Sequence, residues 1–213
     1  MIFADARQQT RADAARTWTI WSAGLLAFPL AGTAGTAAAG RVDDPMSALL
    51  GGAVAGLGIG AGQAWASRGR LDPRRWVLAT AIGMGFGLLI GAAVVDYGTS
   101  LVDLSLMGAL TGAVLGPAQA AALPNRVTAR WVWAAAMPVL WALGWVVMTM
   151  IGVSVDRQFT VFGLSGALTF TALSGFLLHQ LLPHQARDVT ASQPRGRGVR
   201  GRPGRRRRGP EVQ

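Results

Sequence analysis

Six long runs of apolar residues, separated by short polar interruptions, constrain the fold of this chain more than any other feature. The runs cover about 17–39, 46–66, 76–95, 101–123, 131–151 and 159–182. A helix needs roughly 20 mostly apolar residues to cross the hydrocarbon core of a bilayer. Because lipid offers no hydrogen-bond partners, such a segment must satisfy its own backbone, as a helix does. The runs therefore predict an all-α integral membrane protein with six transmembrane helices.

The composition supports this interpretation and excludes several kinds of site. The chain is 51% hydrophobic and only 14% charged, whereas soluble domains carry about a quarter charged residues. There is no cysteine, and all 20 basic residues are arginine. Disulfides, thiolate metal sites, lysine-containing phosphate loops and Schiff-base lysines are therefore excluded. His179 and His184 lack the further ligands of a zinc site. We predict no metal, no cofactor and no enzymatic activity.

The distribution of arginine predicts the orientation of the chain. Eighteen arginines fall in the N-terminal segment 1–16, the second and fourth loops and the tail, against two, Arg41 and Arg157, on the other side. Positive charge accumulates on the cytoplasmic side of membrane proteins. Both termini are therefore predicted to be cytoplasmic. Arginine without lysine, with abundant alanine and glycine, is typical of a GC-rich bacterial genome, so we predict the inner membrane of a bacterium. The tryptophans predicted to mark the cytoplasmic interface are Trp18, Trp65, Trp76, Trp131 and Trp133.

The two ends of the chain carry separate predictions. Residues 183–213 have almost no apolar content, so we predict a disordered cytoplasmic tail. Its arginines are expected to contact anionic lipid, or alternatively a cytoplasmic protein or nucleic acid. The foremost of these are Arg202, Arg205, Arg206, Arg207 and Arg208. The first run also resembles a secretory signal with a cleavage site after Ala39, although it is long for a signal's apolar core.

An internal repeat relates the middle of the chain to itself. A single shift along the sequence places Gly52, Gly56, Gly60 and Gln63 on Gly108, Gly112, Gly116 and Gln119, and a shift longer by one position places Trp76 on Trp133. The sequence therefore predicts two copies of a helical hairpin, at about 46–95 and 101–151, within a transmembrane domain spanning 17–182. A fainter third copy would join 159–182 to 17–39. Copies with two helices each share one orientation, around an axis along the membrane normal.

The spaced glycines predict how the helices pack. Residues four apart lie on one face of a helix, so a line of glycines forms a groove that a neighbouring backbone can enter. Such small-residue contacts supply the association of helices in lipid. We expect packing, with a solute conduit as the alternative. The three lines are Gly52, Gly56 and Gly60; Gly83, Gly87 and Gly91; and Gly108, Gly112 and Gly116.

Three glutamines are the most distinctive polar residues inside the runs. Gln63, Gln119 and Gln180 all lie near the predicted cytoplasmic ends of their helices. We expect them to form hydrogen bonds between helices. The alternative is a polar collar of all three around a cytoplasmic mouth. Asp103 also falls inside a run, and we interpret it as a solvated carboxylate at a helix start.

The repeated pattern resembles that of a known group of proteins. It consists of Gly-x3-Gly-x3-Gly-x2-Gln, an arginine-bearing loop, a tryptophan and another glycine-rich helix, over about 46–182. In this it is similar to a widespread group of uncharacterised bacterial multi-pass membrane proteins. The chain departs from the group because Gln63 and Gln119 are each followed by alanine, not tryptophan. The resemblance implies a membrane location and repeats, and no known activity.

These features predict a non-enzymatic membrane protein. We expect a structural or accessory component of a membrane assembly, held in the lipid bilayer and packed with other membrane subunits or with itself. Its basic tail would contact anionic lipid or a cytoplasmic partner. The alternative is a small channel or carrier built as a pseudo-symmetric helical ring.

Overall fold

The computed structural model describes residues 19–21, 24–153 and 160–181, and this part of the chain is helical without any strand. A single 3-10 turn, Gly24–Leu26, precedes six α-helices. They are α1 (Ala27–Ala39), α2 (Pro45–Ala66), α3 (Pro73–Val94), α4 (Leu101–Ala122), α5 (Arg130–Met150) and α6 (Leu164–Leu181). The predicted segment 1–16 and tail 183–213, including Arg202 and Arg205 to Arg208, lie outside the described residues.

Five of the helices are long and apolar enough to cross a membrane. They are Thr19–Ala39, which contains α1, and the four helices α2 to α5. Helix α6 is not among them: it has 18 residues and ends in the polar pair His179 and Gln180 before Leu181. The predicted all-helical fold is confirmed, and the five apolar helices indicate a multi-pass membrane protein.

Helices α2, α3 and α4 begin where short polar side chains cap them. Asp44 Oδ1 accepts the N–H groups of Met46 at 2.7 Å and Ser47 at 3.0 Å. The bond from Ser47, followed by that from Met46, lowers the pKa of Asp44 from its ordinary value. Asp72 and Ser100 cap α3 and α4 in the same way. These caps satisfy backbone donors that have no partner inside the helix.

The first span is irregular around Pro29. Proline has no N–H, so the carbonyl four residues before it has no helical hydrogen-bond donor. The proline ring also clashes sterically with that carbonyl. That residue is Leu25, and it lies in the 3-10 turn that precedes α1. Pro117 and Pro138 lie inside α4 and α5, whereas Pro29 lies in the first turn of α1.

Each helix packs against the next along the chain, and α6 also contacts α1 and the 3-10 turn. Aromatic rings fill the space between α1, α5 and α6. The ring of Phe162 stacks on Phe28, with centroids 5.5 Å apart, and lies 4.9 Å from Trp141. Phe170 meets Trp141 edge-on, also at 4.9 Å. Phe162 is fully buried in this cluster. The described residues 160–163 are non-helical, and α6 begins later than the predicted start of the sixth run.

Apolar side chains are exposed on the outside of all six helices. On α3 they recur every fourth residue, and they are Leu78, Ile82, Phe86, Ile90 and Val94. Trp65 and Trp131 are 74% and 71% exposed, as residues at a membrane interface should be. Trp76 and Trp133, predicted at the same interface, are fully buried inside the protein. Trp18 lies outside the described residues.

Candidate functional site

The first line of glycines brings α2 against the backbone of α3. A Cβ added at Gly52 would lie 2.7 Å from the carbonyl oxygen of Met84, and one at Gly56 would lie 2.7 Å from the Cα of Ala81. Backbone atoms cannot move aside as the end of a flexible side chain can. Larger residues at these positions would therefore force the two helices apart.

The line of Gly108, Gly112 and Gly116 makes the corresponding contacts between α4 and α5. Gly56 faces the carbonyl oxygen of Thr80, and Gly112 faces that of Met137, which is the repeat-related position in the second hairpin. The other two contacts correspond in the same way. They are Gly52 with Met84 and Gly108 with Trp141, and Gly60 with Val77 and Gly116 with Ala134. The two hairpins are thus packed by matching contacts.

The line of Gly83, Gly87 and Gly91 on α3 lies between the hairpins, where α3 meets α4. Gly87 faces the carbonyl oxygen of Thr111, with its Cβ position 2.8 Å away. The remaining contacts on this line are Gly83 with the Cα of Leu115 and Gly91 with the carbonyl oxygen of Met107. All nine glycines singled out in the sequence therefore lie at contacts between helices.

Gln63 and Gln119 lie in a buried polar network near the ends of α2 and α4. In the first hairpin, Trp76 Nε1 donates to Gln63 Oε1 at 2.9 Å. In the second, Trp133 Nε1 donates to Gln119 Oε1 at 3.2 Å. The two indole rings meet at a centroid distance of 5.7 Å and an interplanar angle of 62°. The two tryptophans predicted only as markers of the interface are the buried partners of the glutamines.

Further hydrogen bonds join the two glutamine–tryptophan pairs across the hairpins. Gln119 Nε2 donates to Thr80 Oγ1 at 3.0 Å and, over a longer 3.4 Å, to Gln63 Oε1. Thr80 Oγ1 in turn donates to the carbonyl oxygen of Trp76 at 2.8 Å. Gln63 is 4% exposed, and the other members of the network are fully buried. We call these five residues, Gln63, Trp76, Thr80, Gln119 and Trp133, the glutamine network.

Gln180 does not belong to the glutamine network. Its side chain is exposed, so the three-membered collar considered as an alternative is not formed. The analogous pair between α6 and the start of the first span is Trp21 and Ser174, whose Nε1 and Oγ lie 3.4 Å apart in a buried position. The ring of Trp21 also lies against Gly175.

Spacing could have identified Ser174, whereas residue type pointed to Gln180. Ser174 follows Gln119 at almost the same separation in sequence as Gln119 follows Gln63. Each glutamine is preceded by a line of glycines at fixed spacing. The same positions before Ser174 are Thr171, Ala167 and Gly163, which are small or short residues. Thr80 was missed because nothing in the sequence marks a threonine as the partner of a glutamine on another helix.

The glutamine network can hold helices together but contains no group suited to acid–base or nucleophilic chemistry. Amides and indoles do not titrate near neutral pH, and the Thr80 hydroxyl is bonded to a carbonyl and an amide. Asp103, the carboxylate inside a run, accepts the Ser100 N–H at 3.1 Å as part of a helix cap. Comparisons with protein families, curated proteins and solved structures find nothing that matches this chain.

Proposed function

We propose that this protein is a non-enzymatic, multi-pass component of a bacterial cytoplasmic membrane. In this proposal it acts by packing with other membrane subunits or with copies of itself. Its arginine-rich tail contacts anionic lipid or a cytoplasmic partner, with nucleic acid the less favoured of the tail's ligands. We also propose that the chain is related to the uncharacterised bacterial multi-pass proteins that its repeated pattern resembles.

One observation carries the proposal: the conspicuous polar and small residues of the described helices serve contacts within the protein. The nine glycines receive neighbouring helices, and Gln63 and Gln119 are bonded to tryptophan and threonine. A transport or catalytic site would leave polar groups directed at a substrate. Because these side chains already contact neighbouring helices, we favour a structural or accessory role for the protein.

The proposal also includes six spans with both termini in the cytoplasm. Helix α6 supports this count because its 18 residues extend about 27 Å at 1.5 Å per residue, close to the hydrocarbon thickness of a bilayer. A reporter that is active only in the periplasm, fused after Gln213, tests it. We expect no activity there and strong activity after Gly40, the first loop. Activity after Gln213 would reduce the count to an odd number.

The experiment that tests the assembly role is extraction of the full chain from native membranes in mild detergent, followed by native mass spectrometry. We expect a stoichiometric complex with another membrane protein or with further copies of this chain. The matched control is a second preparation in a harsher detergent, which should release the bare monomer. A monomer under both conditions, retaining only lipid, would contradict the proposal.

The second candidate is a small channel or carrier. The observation that favours it is the buried amide and hydroxyl cluster of Gln63, Thr80 and Gln119, which lies between matching hairpins. Flux of ions and small polar solutes into liposomes separates the two candidates. A carrier predicts a flux that Gln63→Leu changes and the exposed Gln180→Leu does not. The assembly role predicts that neither variant differs from protein-free liposomes.

A further inference from the structure

Two loops on the same side of the helices come together around a concave surface. The loop after α2 contributes Gly69, Leu71 and Asp72, and the loop after α4 contributes Leu123, Pro124 and Asn125. They line an open cavity of about 460 Å³, which Arg75 and Pro73 at the start of α3 also line. The loops lie on the side of the protein for which the sequence predicts contact with the cytoplasm.

Two arginines from repeat-related positions meet beside this cavity. Arg70 lies between the lining residues Gly69 and Leu71, and Arg126 follows the lining residue Asn125. Arg126 Nη2 reaches across to the carbonyl oxygen of Arg70, at 3.4 Å. Arg70 Nε donates to the carbonyl oxygen of Ser67 at 3.3 Å. Each guanidinium has further donors that these long bonds to carbonyl oxygens do not use.

Within the part of the chain that the structure describes, no carboxylate neutralises the positive charge of the two arginines. Among the described residues, neither guanidinium forms an ion pair with a carboxylate. Burial, and then the charge of Arg126, lowers the pKa of Arg70 from its ordinary value. Asp72 lines the cavity, but its Oδ1 accepts the Arg75 N–H at 3.0 Å. Arg75 and Asp72 line the cavity itself, and Arg70 and Arg126 belong to the two loops that form it.

Two exposed tryptophans at the helix ends flank these loops, and from them we infer the level of the membrane interface. Trp65 precedes the first loop and Trp131 follows the second, and both are largely exposed at the helix ends, where tryptophan marks the headgroup region. Asn125 adds a polar group whose Oδ1 accepts from Arg130 Nη2 at 2.9 Å. A lipid headgroup at this level would lie beside the helix ends and next to the cavity formed by the loops.

We propose that Arg70 and Arg126, with the cavity between their loops, bind the phosphate of an anionic lipid headgroup. The planar guanidinium presents paired N–H donors that match phosphate oxygens, and a bound phosphate removes the repulsion between the two cations. Basic pockets at the ends of transmembrane helices are suited to such headgroups. The site is distinct in sequence from the arginine-rich tail and does not depend on the proposed assembly role.

The test uses the full chain in nanodiscs that contain either phosphatidylglycerol or phosphatidylcholine, with lipid retention measured by native mass spectrometry after release from the disc. We compare the double variant Arg70→Gln/Arg126→Gln with the control Arg68→Gln/Arg74→Gln. The control removes the same charge from exposed positions of the same region. We expect the first variant to retain phosphatidylglycerol at least about tenfold more weakly than wild type, with the control unchanged.

Three outcomes would overturn the proposal. Equal losses in both double variants would mean that only overall charge matters, and no loss in either would mean that the arginines bind nothing. Inorganic phosphate could bind the protein in phosphatidylcholine discs and also displace phosphatidylglycerol from the protein in phosphatidylglycerol discs. That result would identify a free-phosphate site instead. If Arg70→Gln/Arg126→Gln unfolds, as judged by circular dichroism, Arg70→Lys/Arg126→Lys replaces it. This variant keeps the charge and loses the paired donors, so an intermediate affinity is expected and wild-type affinity would count against the site.

Discussion

At the scale of single residues, the glutamine network places the strongest demands on the fold. Gln119 accepts from Trp133 and donates to Thr80 and Gln63, so one side chain connects α4 to α5, α3 and α2. In the membrane interior, each unsatisfied polar group is costly because no water is present to replace a lost partner. The network therefore fixes which helices can lie together as well as how firmly they do so.

Replacing Gln119 by leucine tests this role. The change removes three hydrogen bonds, each worth about 0.6 kcal/mol between membrane helices, so we expect a loss of about 2 kcal/mol in the free energy of unfolding. Titration with dodecyl sulfate in mixed micelles, followed by tryptophan fluorescence, measures it. The control is Gln180→Leu, at an exposed position, which should change stability little. Equal effects from the two variants would refute the role assigned to Gln119.

The sequence was informative about residue types and less so about partners. Gln63 and Gln119 stood out because amides are rare inside apolar runs. Their bonds to Trp76, Trp133 and Thr80 depend on how helices rotate and approach, and hydropathy carries no information about either. For the same reason the sequence assigned both buried tryptophans to the lipid interface, where exposed tryptophans do belong.

At the scale of elements, the hairpins are held by grooves that accept backbone rather than side chains. The nine glycines lie where α2 meets α3, α3 meets α4 and α4 meets α5, and small residues at such spacing allow close contact between membrane helices. Helix boundaries were predicted to within a few residues where Asp44, Asp72 or Ser100 supplies a cap. The sixth run begins at about 159, whereas the described residues 160–163 are non-helical and α6 starts at Leu164. Apolar content alone does not distinguish a buried non-helical segment from a helix.

Adding one methyl group to a groove should loosen a hairpin. Gly56→Ala would place a Cβ 2.7 Å from the Cα of Ala81 and from the carbonyl oxygen of Thr80. Alanine favours helix formation over glycine, so any destabilisation must come from packing, and we expect a net loss of about 1–2 kcal/mol. The control is Ala61→Val, which enlarges an exposed residue of the same helix. A more stable Gly56→Ala protein in the mixed-micelle titration would show that the groove is not closely occupied.

At the scale of the whole molecule, the interior is organised by matching hairpins and closed by aromatic residues. Repeat-related contacts join α2 to α3 and α4 to α5, and Phe28, Trp141, Phe162 and Phe170 fill the space beside α1 and α6. The polar cluster that favours a conduit lies between packed helices. The central claim is that the region around the glutamine network excludes water.

Accessibility of a cysteine introduced into the network tests that claim most directly, because the natural chain has no cysteine. The Thr80→Cys protein is treated with a membrane-impermeant maleimide in native membrane vesicles. Right-side-out and inverted vesicles expose one face of the membrane each to the reagent. Thr128→Cys, at an exposed loop position, is the positive control, and Thr111→Cys, which is 1% exposed, is the buried control. We expect Thr80→Cys to be protected like Thr111→Cys from either face. Labelling of Thr80→Cys at a rate near that of Thr128→Cys would contradict the account and establish a water-filled path through the helices.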